Sequence, residues 1–109
     1  MQDLSPEEDE RQSQAVGQIN MWCKLSETYA PTLLQDEYSK VRFEELFLKS
    51  RILLSLLTDP FYAGAARHSM INALCKAARL NDARALLAEV KDAFIREKIL
   101  DDNPALPET

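Results

Sequence analysis

Apolar positions recur at spacings of three and four along most of this chain, and breaks in that rhythm divide it into four predicted helices. Ser5-Pro6-Glu7-Glu8 opens the first. The Ser5 hydroxyl can cap, Pro6 suits the first turn, and Glu8 holds the capping-box position. Ala15, Ile19, Trp22 and Cys23 then share one face up to about Tyr29, with Gly17 weakening the middle. Ala30-Pro31 ends or bends that helix. The second helix is expected from about Thr32 to Leu57, as the longest element and the centre of the fold, about 39 Å at 1.5 Å per residue.

Helix 2 carries two apolar stripes. One is Leu34, Tyr38, Val41, Leu48, Ile52 and Leu56, interrupted by Glu45. The other is Phe43, Leu46, Phe47, Leu53, Leu54 and Leu57. A helix apolar on two faces must be covered on both. Neighbouring helices of the same chain cover one stripe easily, so the other is a candidate interface. Tyr38, Val41, Leu48, Ile52 and Leu56 are the residues expected to form it, because their spacing is that of a packing seam.

Asp59 and Pro60 start the third helix, which runs to about Ala78 with Ala63, Ala66, Met70, Ile71, Leu74 and Ala78 inward. Gly64 and its neighbouring alanines allow close approach of another helix. Asn81 is expected to cap the fourth helix, which carries Ala83, Leu86, Leu87, Val90, Ala93 and Phe94 inward and reaches about Leu100. Residues 1–4 are expected to fray, 5–100 to form one helical domain, and 101–109, broken by two prolines, to form a disordered tail.

The corner at residues 77–90, AARLNDARALLAEV, has the rhythm of a helix-turn-helix. A DNA-reading helix must present cations and polar groups outward. Its outward positions are Asn81, Asp82, Arg84, Ala85, Ala88 and Glu89, one cation against two carboxylates. The small residues Ala73, Ala77, Ala78 and Ala83 fit a tightly packed αα-hairpin instead. In Leu74, Ala78, Leu80, Ala83, Leu86 and Leu87 the stretch INALCKAARLNDARALLAEVK resembles one helix-turn-helix unit of the tetratricopeptide and pentatricopeptide repeat superfamily. That resemblance implies a packed helical hairpin. The expected fourth helix is too long for one such unit, and no second repeat is legible.

Composition narrows the class. With 46 % hydrophobic residues and only two glycines, the chain is too apolar for disorder and poor in β-turn formers. A net charge of −5 argues against generic attraction to nucleic acid or anionic lipid. Charge is uneven, however. Asp3, Glu7, Glu8, Asp9 and Glu10 crowd the first sixteen residues, and cations outnumber acids over 64–100. Arg84, Lys91 and Lys98 recur every seven residues and are expected to line one face of helix 4, a docking face for an acidic segment. The N-terminus lacks the pattern of a secretory signal, and no run approaches the length of a membrane span. Cys23 and Cys75 lack metal or redox spacing and are expected to be buried, reduced thiols of a cytoplasmic protein.

No catalytic, cofactor or metal constellation is legible. His68 is the only histidine and has no carboxylate or thiol one turn away. Glu45 alone stands in an apolar stripe, where it must reach water at an edge, pair with an arginine of a neighbouring helix, or act as a catalytic acid. The expectation is an all-α protein, either a compact four-helix bundle or an irregular αα-hairpin array. Its expected role is that of a small intracellular protein-protein interaction module, an adaptor, chaperone-like partner or regulatory subunit. No cofactor is expected, and the partner is another protein or a second copy. The alternatives are a helix-turn-helix DNA-binding regulator and, third, a small all-helical enzyme.

Overall fold

The computed structural model describes residues 4–107, all of whose regular structure is helical: α1 (Pro6–Glu27), α2 (Glu37–Leu54), α3 (Pro60–Lys76), α4 (Leu80–Leu87) and α5 (Ala93–Asp102), with a short 3₁₀ turn at Ala30–Thr32. The chain is all-α as expected, but with five helices among the described residues instead of four. α1, with 22 residues, is the longest. Residues 1–3 and 108–109, the outer parts of the two expected disordered ends, lie outside the described residues.

Local chemistry sets the boundaries. Ser5 caps α1 by accepting from Glu8 N at 3.1 Å, and Asp59 caps α3 by accepting from the amides of Phe61 and Tyr62. α2 is shorter than the apolar rhythm suggested, 18 residues or about 27 Å. Asp36 terminates it on the N-terminal side, because its carboxylate accepts from Tyr38 N (3.0 Å) and the Ser39 hydroxyl (3.1 Å). Residues 32–36 therefore form a turn. The expected fourth helix is two helices. Asp92 caps α5 through Ile95 N at 3.0 Å, and Arg96 Nη1 donates to the Leu87 carbonyl, closing the end of α4.

That break resets the inward face. Ala93 and Phe94 point outward, and Ile95 and Ile99 fill the core in their place. Arg79, not Asn81, is the N-cap of α4, with no side-chain cap bond. Ala78, expected inward, is an exposed corner residue at φ 61°. Arg79 N bonds to Leu74 O and Ala78 N to Cys75 O, the paired bonds of a Schellman corner. Residues 101–107 are not a free tail: α5 continues to Asp102, Leu106 is fully buried, and Arg84 Nε donates to its carbonyl at 2.8 Å.

Contacts between helices fix their directions. Tyr62 bonds to Asp9, Ser69 to Asn20, and Lys76 pairs with Glu27, so α1 and α3 run parallel. Gly64 meets Ile95 and His68 meets Asp102, so α3 and α5 run parallel too. α2 runs antiparallel to α1, since Gln12 near the start of α1 reaches Thr58 beyond the end of α2. The result is a row, not a cylinder, with extents of 46 × 33 × 16 Å. Its radius of gyration is 14.1 Å, against about 13 Å for a compact domain of this size. α3 is the spine: Ala63, Gly64, Ala66, Met70, Ile71, Ala73 and Leu74 are all buried. The close approach foreseen at Gly64 is to Ile95, whose Cδ1 would lie 2.9 Å from a Cβ at that position.

Candidate protein-binding face

The two stripes of α2 part company. Phe43 and Leu46 are buried, and Phe47, Leu53, Leu54 and Leu57 are half-buried against the two core clusters. The other stripe faces out. Tyr38 is 62 % exposed, Val41 49 %, Leu48 59 %, Ile52 60 % and Leu56 67 %. Leu34 is fully exposed, but it lies in the turn before α2, and Leu56 lies just past its end. Geometry explains the split: in a slab 16 Å thick a flanking helix packs on one side only. Scattered apolar residues are normal on a protein surface, whereas a row of large ones along one face makes it a candidate contact surface.

The row has a polar frame. Glu45, in its middle, is exposed and accepts from Arg42 Nη1 at 2.8 Å, a partner on its own helix rather than a neighbouring one. Arg42 also lies 5.9 Å from the centre of the Tyr29 ring, and Tyr29 stands edge-on to Tyr38 at 6.0 Å. Lys49 is exposed, with its Nζ 6.0 Å from the centre of the Trp22 ring. Two further exposed apolar residues, Met21 and Leu25, sit on α1 within three residues of Trp22.

The second candidate surface does not assemble as expected. Arg84 is on α4, Lys91 in the link, and Lys98 on α5, so the seven-residue spacing no longer places them on one helix face. Arg84 is turned to the Leu106 carbonyl and Asn81 Oδ1, and Lys98 lies over the exposed Phe94 ring at 5.4 Å. At the corner, Asp82 and Glu89 remain outward, and Glu89 pairs with Arg67.

Other chemistry-bearing side chains are tied into structure. His68 Nε2 donates to Asp102 at 2.7 Å, and that bond holds the Asp102 carboxyl below its ordinary range. Asn72 and Asn103 complete the cluster, which pins the end of α5 to α3. Cys23 is buried, and burial pushes its thiol up to about 12. Cys75 is only half-buried, contrary to expectation, and burial raises it as well. Such thiols are poor nucleophiles and poor ligands. Among the described residues no group of three or more His, Cys, Asp or Glu side chains is placed to hold a metal ion. No described helix is long and apolar enough to cross a membrane.

Gln12, absent from the sequence-based candidates, is a buried polar residue that bonds to Thr58 and Asp59 and fixes the α2–α3 corner. Its position seven residues before Ile19, on the same helix face, was the available signal. No protein-family model, curated protein or solved structure matches this chain.

Proposed function

We propose that this protein is a small intracellular protein-protein interaction module, working by helix-face packing through the outer surface of α2. The exposed row of Tyr38, Val41, Leu48, Ile52 and Leu56 carries the reading. Five large apolar side chains on one face are costly to hold in water and gain by burial against a partner. Burial raises both thiols and His68 is paired with Asp102, which supports binding over chemistry. Two cysteines carried as free thiols suit a reducing compartment. Outward Asp82 and Glu89, with Arg84 turned inward, count against a DNA-reading corner.

The test is a photo-crosslinking amino acid at Ile52, in the cell of origin. A defined protein adduct at Ile52, absent with the same group at exposed Glu97 on α5, is the expected result. No adduct, or equal adducts at both positions, overturns the reading.

A further inference from the structure

Resting on that reading, we propose that the occupant of the α2 face is a second copy of this chain, its α2 laid antiparallel across a two-fold axis at the level of Phe47. A two-fold interface requires a surface complementary to its own reversal. Reversing α2 about residue 47 brings Tyr38 to the far end of the second copy's α2, beside the turn that carries Leu56, at both ends of the seam. Val41 falls level with 53, beside Ile52. Leu48 falls level with 46, about 3 Å along the axis from its own copy, and closes the centre.

The charges decide direction. Reversal about residue 47 sets Glu45 level with Lys49 of the second copy, and symmetry makes the pair twice. Both side chains are exposed and border the apolar row. Arg42 reaches only Oε1 of Glu45, and a carboxylate has lone pairs for a second cation. A parallel pairing would set Glu45 against Glu45 and Lys49 against Lys49, and would align the two helix dipoles. The same reversal accounts for a glutamate in the middle of an apolar stripe: it supplies direction and register, as buried or bordering polar groups do in paired helices. The five exposed side chains per protomer make the apolar centre, and Met21 and Leu25 of α1 extend it on the Lys49 side.

The experiment is sedimentation equilibrium of the full chain, from low to high micromolar concentration, with Glu45→Lys, Lys49→Glu and the double reversal. The wild type is expected to be a dimer. Each single reversal acts at two symmetric sites and is expected to weaken dimerisation by at least about tenfold. The double reversal restores the opposite signs and is expected to recover most of that loss. Both positions are exposed, so circular dichroism should show all four proteins equally helical. A monomeric wild type at high micromolar concentration overturns self-pairing, as does a double reversal no tighter than the single ones. A monomer that still gives a heterologous crosslink from Ile52 sinks this inference alone. A monomer with no crosslink sinks the interaction reading with it.

Discussion

Replacing Gln12 by methionine isolates the contribution of one buried polar contact to this fold. Gln12 is 2 % exposed. Its Oε1 accepts from Thr58 N at 3.3 Å and Asp59 N at 3.1 Å, and its Nε2 donates to Thr58 Oγ1 at 2.7 Å. Methionine keeps the length and shape and removes these three bonds, along with a long one from Nε2 to Glu8 Oε1 at 3.5 Å. Each bond is worth about 0.5–1.5 kcal/mol net. Thr58 is exposed, so water can serve its hydroxyl, and the thioether gains a little from burial. The expected loss is therefore toward the lower end of the summed range, about 2 kcal/mol. For a domain of this size that lowers the melting temperature by roughly 8–16 °C. Urea unfolding followed by circular dichroism, at one fixed protein concentration and with m unchanged, measures it directly. A loss under about 0.5 kcal/mol would refute the reasoning, since it would mean that water satisfies the corner as well as Gln12 does.

Four further outcomes are expected. Gly17→Ala should stabilise by about 0.8–1 kcal/mol, because a Cβ there meets nothing within 4 Å. Gly64→Ala should gain nothing or lose up to about 1 kcal/mol, because its Cβ would press Ile95. Equal effects in calorimetry would show that the α3–α5 contact is loose. In the native protein a thiol reagent should modify half-buried Cys75 well before Cys23, and modification of Cys23 first would contradict its burial. The Asp102 carboxyl is held low by His68, so its contribution to stability is complete above the unfolded carboxylate value of about 3.9 and is lost as pH falls through the lower folded value. The stability gap between wild type and Asp102→Asn should therefore close on acidification, and a gap constant from neutral pH to below that range would show that the pair contributes nothing as an ion.

What the sequence reveals follows from the range of the forces involved. Ser5, Asp59 and Pro60 were legible because a cap acts within three residues. Asp36 and Asp92 are caps of the same kind, yet apolar residues on both sides continued the helical rhythm across them. Periodicity alone does not register such a break, so the apolar rhythm overruns both ends of α2 and runs α4 into α5. The merger also produced the apparent cationic face of Arg84, Lys91 and Lys98. Tyr38, Val41, Leu48 and Ile52 do share the outer face of α2, because side chains on a continuous helix share a face wherever its ends fall, whereas Leu34 and Leu56 lie in the turns on either side. Gln12 with Thr58, and His68 with Asp102, join residues 46 and 34 positions apart, beyond the reach of local pattern.

The arrangement around α3 has a mechanical consequence. α1 and α2 lean on one side of this spine, while α4 and α5 lean on the other. Side-chain ties such as Arg79 to Glu44 cross between the halves, but the main backbone packing runs through α3. Damage at the C-terminal end therefore reaches α2 and α1 unequally. Loosening α5, whose anchors are Ile95, Ile99 and the His68–Asp102 bond, opens the C-terminal edge and uncovers Phe43 of α2, which shares their cluster, while Ile19 and Cys23 of α1 keep a core of their own against Met70. Damage to Met70 or Leu74 reaches both halves at once. α2 thus answers to both edges, through Phe43 to the cluster of α4 and α5 and through Leu53 and Leu54 to that of α1, and amide exchange in α2 is expected to quicken when α5 is loosened while exchange in α1 is not.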